Sequence, residues 1–166
     1  MEQAPFPDTQ RAAALKAATG DAEAMAEVGR NYMTGEHGFP LDTNKAREAF
    51  ETSAQKGSAA GLFYVGLLAY SEGDTKKACG LFAQSAGRGH SGGMREYGEC
   101  QLRGSGGTTK DATAAAESFR RSIANGGIEA YVSLARLYSF GEGVPRDPEE
   151  AARLLQRHAS LSAGRR

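Results

Sequence analysis

Any chemistry in this chain would fall to three histidines, two cysteines and a scattering of serines. His37 stands in a glycine-containing stretch, His90 opens a helical pattern and His158 sits near the end of the chain. No histidine stands at metal-ligand spacing from another histidine or cysteine, so all three read as solvated polar residues. A nucleophilic serine needs a strained strand-to-helix elbow, and none of the serines stands in that context. "GSGG" at 104–107 and "GHSGG" at 89–93 are glycine-rich, and the second precedes a helix as a phosphate cradle would. Neither follows a strand or carries the lysine that a phosphate loop requires, so both read as linkers. Catalysis needs nucleophile, base and stabiliser in one place. The sequence therefore predicts no catalytic residue, no metal and no cofactor.

Cys79 and Cys100 give neither a zinc spacing nor a disulfide framework. Free thiols in a reducing cytoplasm are the expectation. The opening "MEQAPFPDTQ" lacks the basic and apolar regions of a secretory signal, although a signal removed beforehand would leave no trace. The longest apolar run, Leu62 to Tyr70, is far too short to span a bilayer.

The bulk numbers point the same way. A length of 166 residues suits one continuous core. Hydrophobic residues make up 40%, many of them alanine, with 22 glycines and no tryptophan. Small side chains suit short helices packed closely. Formal net charge is zero, from 20 basic and 20 acidic residues, which removes a global electrostatic attraction to nucleic acid or anionic membrane.

Self-similarity organises the rest. Aspartate followed by a helical pattern occurs at Asp42, Asp74, Asp111 and Asp147, at spacings of 32, 37 and 36. Glycine closes the pattern at Gly20, Gly57, Gly89 and Gly126, at spacings of 37, 32 and 37. Asp147 offers a helix cap, Pro148 fits a first turn, and Glu149 and Glu150 complement the positive helix end. Between these helices lies a second set of copies, at 24–35, 61–73, 93–104 and 130–141. Each places a small residue (Ala24, Gly61, Gly93, Ala130) four positions before a large one (Val28, Val65, Tyr97, Leu134). Another small residue follows directly: Gly29, Gly66, Gly98 or Ala135. Glycine inside a helix costs up to about 1 kcal/mol. Its recurrence predicts a neighbour too close for a Cβ. The Asp-led helices carry Ala46, Ala78, Ala115 and Ala151, then Phe50, Phe82, Phe119 and Leu155, on one apolar stripe. Ala54, Ala86, Ile123 and Ala159 continue it.

With "LARLY" upstream, "GEGVPRDPEEAARLLQRHA" resembles the Sel1-like repeat, a relative of the tetratricopeptide repeat. The fourth copy departs only at Ala135 and Leu155, and the second lacks the inter-helix loop almost entirely. The resemblance implies an all-α fold: a right-handed α-solenoid of antiparallel helix pairs, about nine helices in all. Residues 9–160 form the domain, with a half-repeat cap at 9–20 and repeats at 21–57, 58–89, 90–126 and 127–160. In the cap, Ala13 and Ala17 take the columns of Phe50 and Ala54. Residues 1–8 are expected to be flexible and the basic tail 161–166 frayed.

The resemblance also implies a non-enzymatic interaction module, a monomer in isolation, gripping a protein or peptide on the concave face lined by the first helices. Columns two, three and six places after the small residue should point outward there. They are Ala26, Glu27 and Arg30; Phe63, Tyr64 and Leu67; Arg95, Glu96 and Glu99; and Val132, Ser133 and Arg136. Phe63, Tyr64 and Leu67 would make an apolar centre framed by Arg30, Arg95 and Arg136, the anatomy of a binding hot spot. Alternatively the missing loop lets that helix sink, and the three residues are core. Some secreted relatives carry a disulfide within each helix pair and bind or hydrolyse β-lactams, but Cys79 and Cys100 lie in different units. That activity and a toxin-neutralising role stand as alternatives.

Overall fold

The computed structural model describes residues 7–164, without the side chains of 7–10, 13 and 17. The Ala13 and Ala17 columns, most of the segment expected to be flexible, and the Arg165–Arg166 pair lie outside the described residues. The chain runs through α1 (Pro7–Ala18), α2 (Ala22–Thr34), α3 (Thr43–Gln55), α4 (Ala59–Ser71), α5 (Thr75–Gly87), α6 (Ser91–Arg103), α7 (Ala112–Ala124), α8 (Ala130–Phe140) and α9 (Pro148–Ala163). These nine helices, with no strand among the described residues, form an α-solenoid of antiparallel pairs. The tail expected to fray from 161 is helical through Ala163.

Caps set the boundaries. The carboxylates of Asp21, Asp42, Asp74, Asp111 and Asp147 each accept a first-turn backbone N–H. That satisfies donors which have no partner inside the helix. At the other end, α8 stops at Gly141, whose φ of 70° is a left-handed conformation that favours glycine.

Sequential helices pack against one another along the whole array. Beyond these neighbours, α2 touches α4 and α4 touches α6, while no comparable contact links α3 to α5 or α5 to α7. Helices α2, α4 and α6 therefore line the tighter, inner side of the array, with α8 joined to α6 through Ser133 and Arg136 on Glu99, and the second helices splay apart outside. This face is where the sequence places partner binding.

The recurring helix glycine is a socket for an aromatic ring. A Cβ on Gly29 would lie 2.5 Å from the Phe50 ring, and one on Gly66 or Gly98 would lie 2.7 Å from Phe82 or Phe119. All three phenylalanines are fully buried. Each full burial contributes about 1.5–3 kcal/mol, which outweighs the helix-propensity cost of the glycine opposite.

The fourth pair solves the same problem differently. Ala135 fills the socket, and Leu155, expected on the apolar stripe, is 46% exposed. Leu154 packs on the core in its place. With the socket occupied by a methyl group, no ring fits there, and α9 presents its neighbouring side chain instead.

A serine column invisible to hydrophobic patterning runs beside the sockets. Ser53, Ser85 and Ser122 are fully buried. Their hydroxyls donate to the carbonyls of Ala22, Ala59 and Ser91 at 2.6, 2.7 and 2.8 Å. Each bond ties a second helix to the first turn of its own partner, and among the described residues no buried hydroxyl is left unsatisfied.

Cys79 and Cys100 form a disulfide, with Cα atoms 6.0 Å apart, so the expected free thiols are absent. The two positions lie in different repeats, but α5 and α6 are packed antiparallel neighbours, and 21 residues bring the chain back beside itself. The adjacency of one repeat's second helix to the next repeat's first helix makes the pairing possible. The 104–107 stretch is more than a linker: Gly106 (φ 62°) backs onto the bond so closely that a Cβ would sit 3.0 Å from the Cys79 sulfur.

Candidate functional site

The residues expected on the inner face divide into a half-buried aromatic group on α4 and a charged cluster between α6 and α8. Phe63, Tyr64 and Leu67 are half-buried rather than free for a partner. Tyr64 stacks on the buried Phe50 with ring centroids 4.4 Å apart. Phe63 lies 4.6 Å from the His90 ring and 6.2 Å from Phe82, and Leu67 packs on the same core. Of the two alternatives left open by the sequence, the sunken helix describes most of this surface. Burial raises the Tyr64 phenol above its usual range, partly opposed by Arg30.

His90 is not the solvated residue that the sequence suggests. It caps α6, its Nδ1 accepting the Gly93 N–H at 3.1 Å. An imidazole can accept there only while Nδ1 is unprotonated, so the neutral ring carries its proton on Nε2. Desolvation lowers the His90 pKa below 6.5, opposed by the carboxylate of Glu23, and the positive end of α6 disfavours a cation there as well. A depressed folded-state pKa contributes stability above the unfolded value and loses it as pH falls through the folded one. Lowering pH from about 7 to about 5 should therefore remove stability that His90→Asn, a cap without that titration, retains. Parallel urea titrations of the two proteins at both pH values check this. Equal losses would reject the His90 cap as the titrating element.

The other histidines are local. His37 approaches Asn31 Oδ1 through Nδ1 at 3.1 Å, and His158 lies 3.4 Å from the Ser162 hydroxyl. Among the described residues no His, Cys, Asp and Glu side chains gather as a metal site would need.

The charged cluster centres on Glu99, whose side chain is 13% exposed. Arg136 Nη2 donates to both of its carboxylate oxygens at 3.0 Å, Ser133 Oγ donates at 3.1 Å and Arg103 Nη2 at 3.3 Å. Glu96 pairs with Arg95 beside it. Burial raises the Glu96 carboxyl above the usual range; Arg95 opposes this and the like charge of Glu99 reinforces it. Together they line an open cavity of about 320 Å³ whose wall includes Tyr70, Phe82 and the Cys79–Cys100 bond.

Arg95, Glu96, Glu99 and Arg136, expected on one face, thus converge. Glu27 and Arg30 remain exposed on α2; Glu27 borders a separate cavity with Val28, Asn31, His37 and Phe39. Ala26 and Ser133, expected to point outward, are buried at 2% and 8% exposure. Arg103, Tyr70 and Phe140 complete the face and were missed. Helical spacing carried the signal for all three: Arg103 is four residues beyond Glu99, Tyr70 three beyond Leu67, and Phe140 four beyond Arg136. Tyr70 is 53% and Phe140 71% exposed, so the accessible apolar surface flanks the charges instead of lying on Phe63.

Comparison with known proteins agrees with this architecture. A frog (Xenopus laevis) protein, cytochrome c oxidase assembly factor 7A, is 25% identical over 148 residues, covering 84% of this chain and 64% of its own. The crystal structure of a protective antigen of uropathogenic Escherichia coli, with an SLR fold, superposes with a TM-score of 0.70 at 27% identity. It covers 89% of this chain and 32% of the antigen. A Sel1 repeat protein from Oxalobacter formigenes gives a TM-score of 0.70 at 24% identity, over 94% of this chain and 59% of that one. The chain therefore spans less than two thirds of each of these relatives. The Sel1 repeat pattern itself matches residues 22–58, 91–127 and 128–162, leaving aside the copy whose inter-helix loop has shrunk to three residues, 72–74. Those matches cover well over half of a chain built from paired helices, glycine sockets and aspartate caps: it belongs to the Sel1 repeat family.

Proposed function

We propose that this chain is a non-enzymatic interaction module that holds a segment of a partner protein along the face of α4, α6 and α8. The carrying observation is the Glu99 cluster, where charged side chains from two helices meet around an open cavity between exposed aromatic residues. Purely structural ion pairs need no such opening. The family supports the reading, as does the assembly role in the frog relative's name. The Cys79–Cys100 bond removes the thiol basis for a reducing cytoplasm and favours an oxidising compartment. It joins neighbouring pairs rather than the helices within one, so it adds nothing to a β-lactam reading.

Photo-crosslinking tests the assignment. A benzophenone amino acid at Tyr70 should capture a discrete partner that the same group at Gln84, exposed on the outer helix α5, does not. Identical captures from both positions would remove the inner face as the binding surface.

A further inference from the structure

The partner's chemistry is written in how the groove distributes its charges. The carboxylates form the floor, Glu99 at 13% and Glu96 at 20% side-chain exposure. The guanidiniums form the mouth, Arg95 at 30%, Arg136 at 41% and Arg103 at 57%. An approaching molecule meets cations first.

These cations are also incompletely used. Arg95, Arg103 and Arg136 each donate to the floor through Nη2 alone. Their Nε and Nη1 groups make no hydrogen bond to any of the described residues, though each guanidinium holds five donors. Glu99 fixes Arg136 and Arg103 from below, which limits the side-chain entropy that a ligand must remove.

The cavity continues between α6 and α8 toward their C-terminal ends. Arg103 and Arg136 also line an adjoining hollow of about 710 Å³, which adds Lys110, Glu142 and the exposed Phe140. The trough thus runs from Tyr70 across the arginines to Phe140, with four cationic side chains against three carboxylates. Resting on the interaction reading above, we infer that this trough selects an acidic protein segment. A carboxylate side chain of the partner seats among Arg95, Arg103 and Arg136, with apolar residues on either side meeting Tyr70 and Phe140. Guanidinium and carboxylate match as planar, doubly bonded partners, which makes such contacts short and directional.

Random peptides displayed on phage and selected on the full chain provide the probe. Selected peptides should carry Asp or Glu between apolar residues. Fluorescein-labelled versions should bind about tenfold more weakly when that residue is changed to Asn or Gln. The difference should vanish in an Arg95→Ser/Arg136→Ser variant, and in Arg103→Ser should the double variant fail to fold. Added salt should weaken the acidic peptides more than their amide forms. If peptides crosslink at Tyr70 but bind equally as amides, the acidic specificity is wrong and the interaction surface stands. A single-stranded oligonucleotide that displaces them equally well would also overturn the acidic-peptide assignment. No groove-dependent peptide at all would remove both readings.

Discussion

Truncating Phe119 to alanine is expected to cost about 3–5 kcal/mol, a large part of the 5–15 kcal/mol that holds a typical domain together. The ring is wholly buried against α6, and its seat exists because Gly98 has no side chain. The more telling experiment changes both partners. Gly98→Ala alone sets a gain of about 1 kcal/mol in helix propensity against an overpacking cost of about 1–3 kcal/mol. A Cβ 2.7 Å from an immobile ring makes the second term win. In a Phe119→Leu background the ring is gone, and the same substitution should turn neutral or stabilising. The fourth pair already combines Ala135 with an aliphatic neighbour, Leu154, and no ring. Urea unfolding of the four proteins measures the coupling, expected at about 1 kcal/mol or more. Additive effects would mean that the glycine column is not kept open by the rings.

Removing the disulfide is expected to have the next largest effect. A link closing 21 residues restricts the unfolded chain by about 3 kcal/mol on loop-entropy grounds. Cys79→Ala/Cys100→Ala should therefore unfold at markedly lower denaturant, and dithiothreitol should move the native protein toward the same midpoint while leaving the double variant unaffected. Both sulfurs are buried, at 1% and 6% residue exposure, so alkylation of the folded protein under non-reducing conditions should be negligible. Two alkylated thiols and no response to reductant would reject the pairing. Because both cysteines also border the charged cavity, peptide binding measured with and without reductant reveals whether the bond supports the groove as well as the fold.

The repeat was legible because its signals are local. Asp caps, the glycine column and the Ala–Phe stripe each follow from spacing within one or two turns, and the helices appear where these columns place them. Whatever depended on which helix neighbours which was harder to read. Sequence spacing alone did not assign the cysteine pair, because its helices belong to different repeats. Ser53, Ser85 and Ser122 look like solvent-facing residues until the carbonyls they reach, 26 to 31 residues away, are known. On the candidate face, outward columns correctly grouped Arg95, Glu96, Glu99 and Arg136. They overstated the exposure of Phe63, Tyr64 and Leu67, because a nearly loopless α4–α5 turn draws α4 into its neighbours.

The serine bonds have a mechanical consequence. Each closes a stretch no longer than one repeat, so tension applied to the two ends meets a row of separate latches instead of one global lock. The array should give way by shedding outer pairs while its interior stays wound. The covalent link between α5 and α6 then acts as a ratchet stop midway along, keeping the floor of the charged trough assembled after the ends have peeled away.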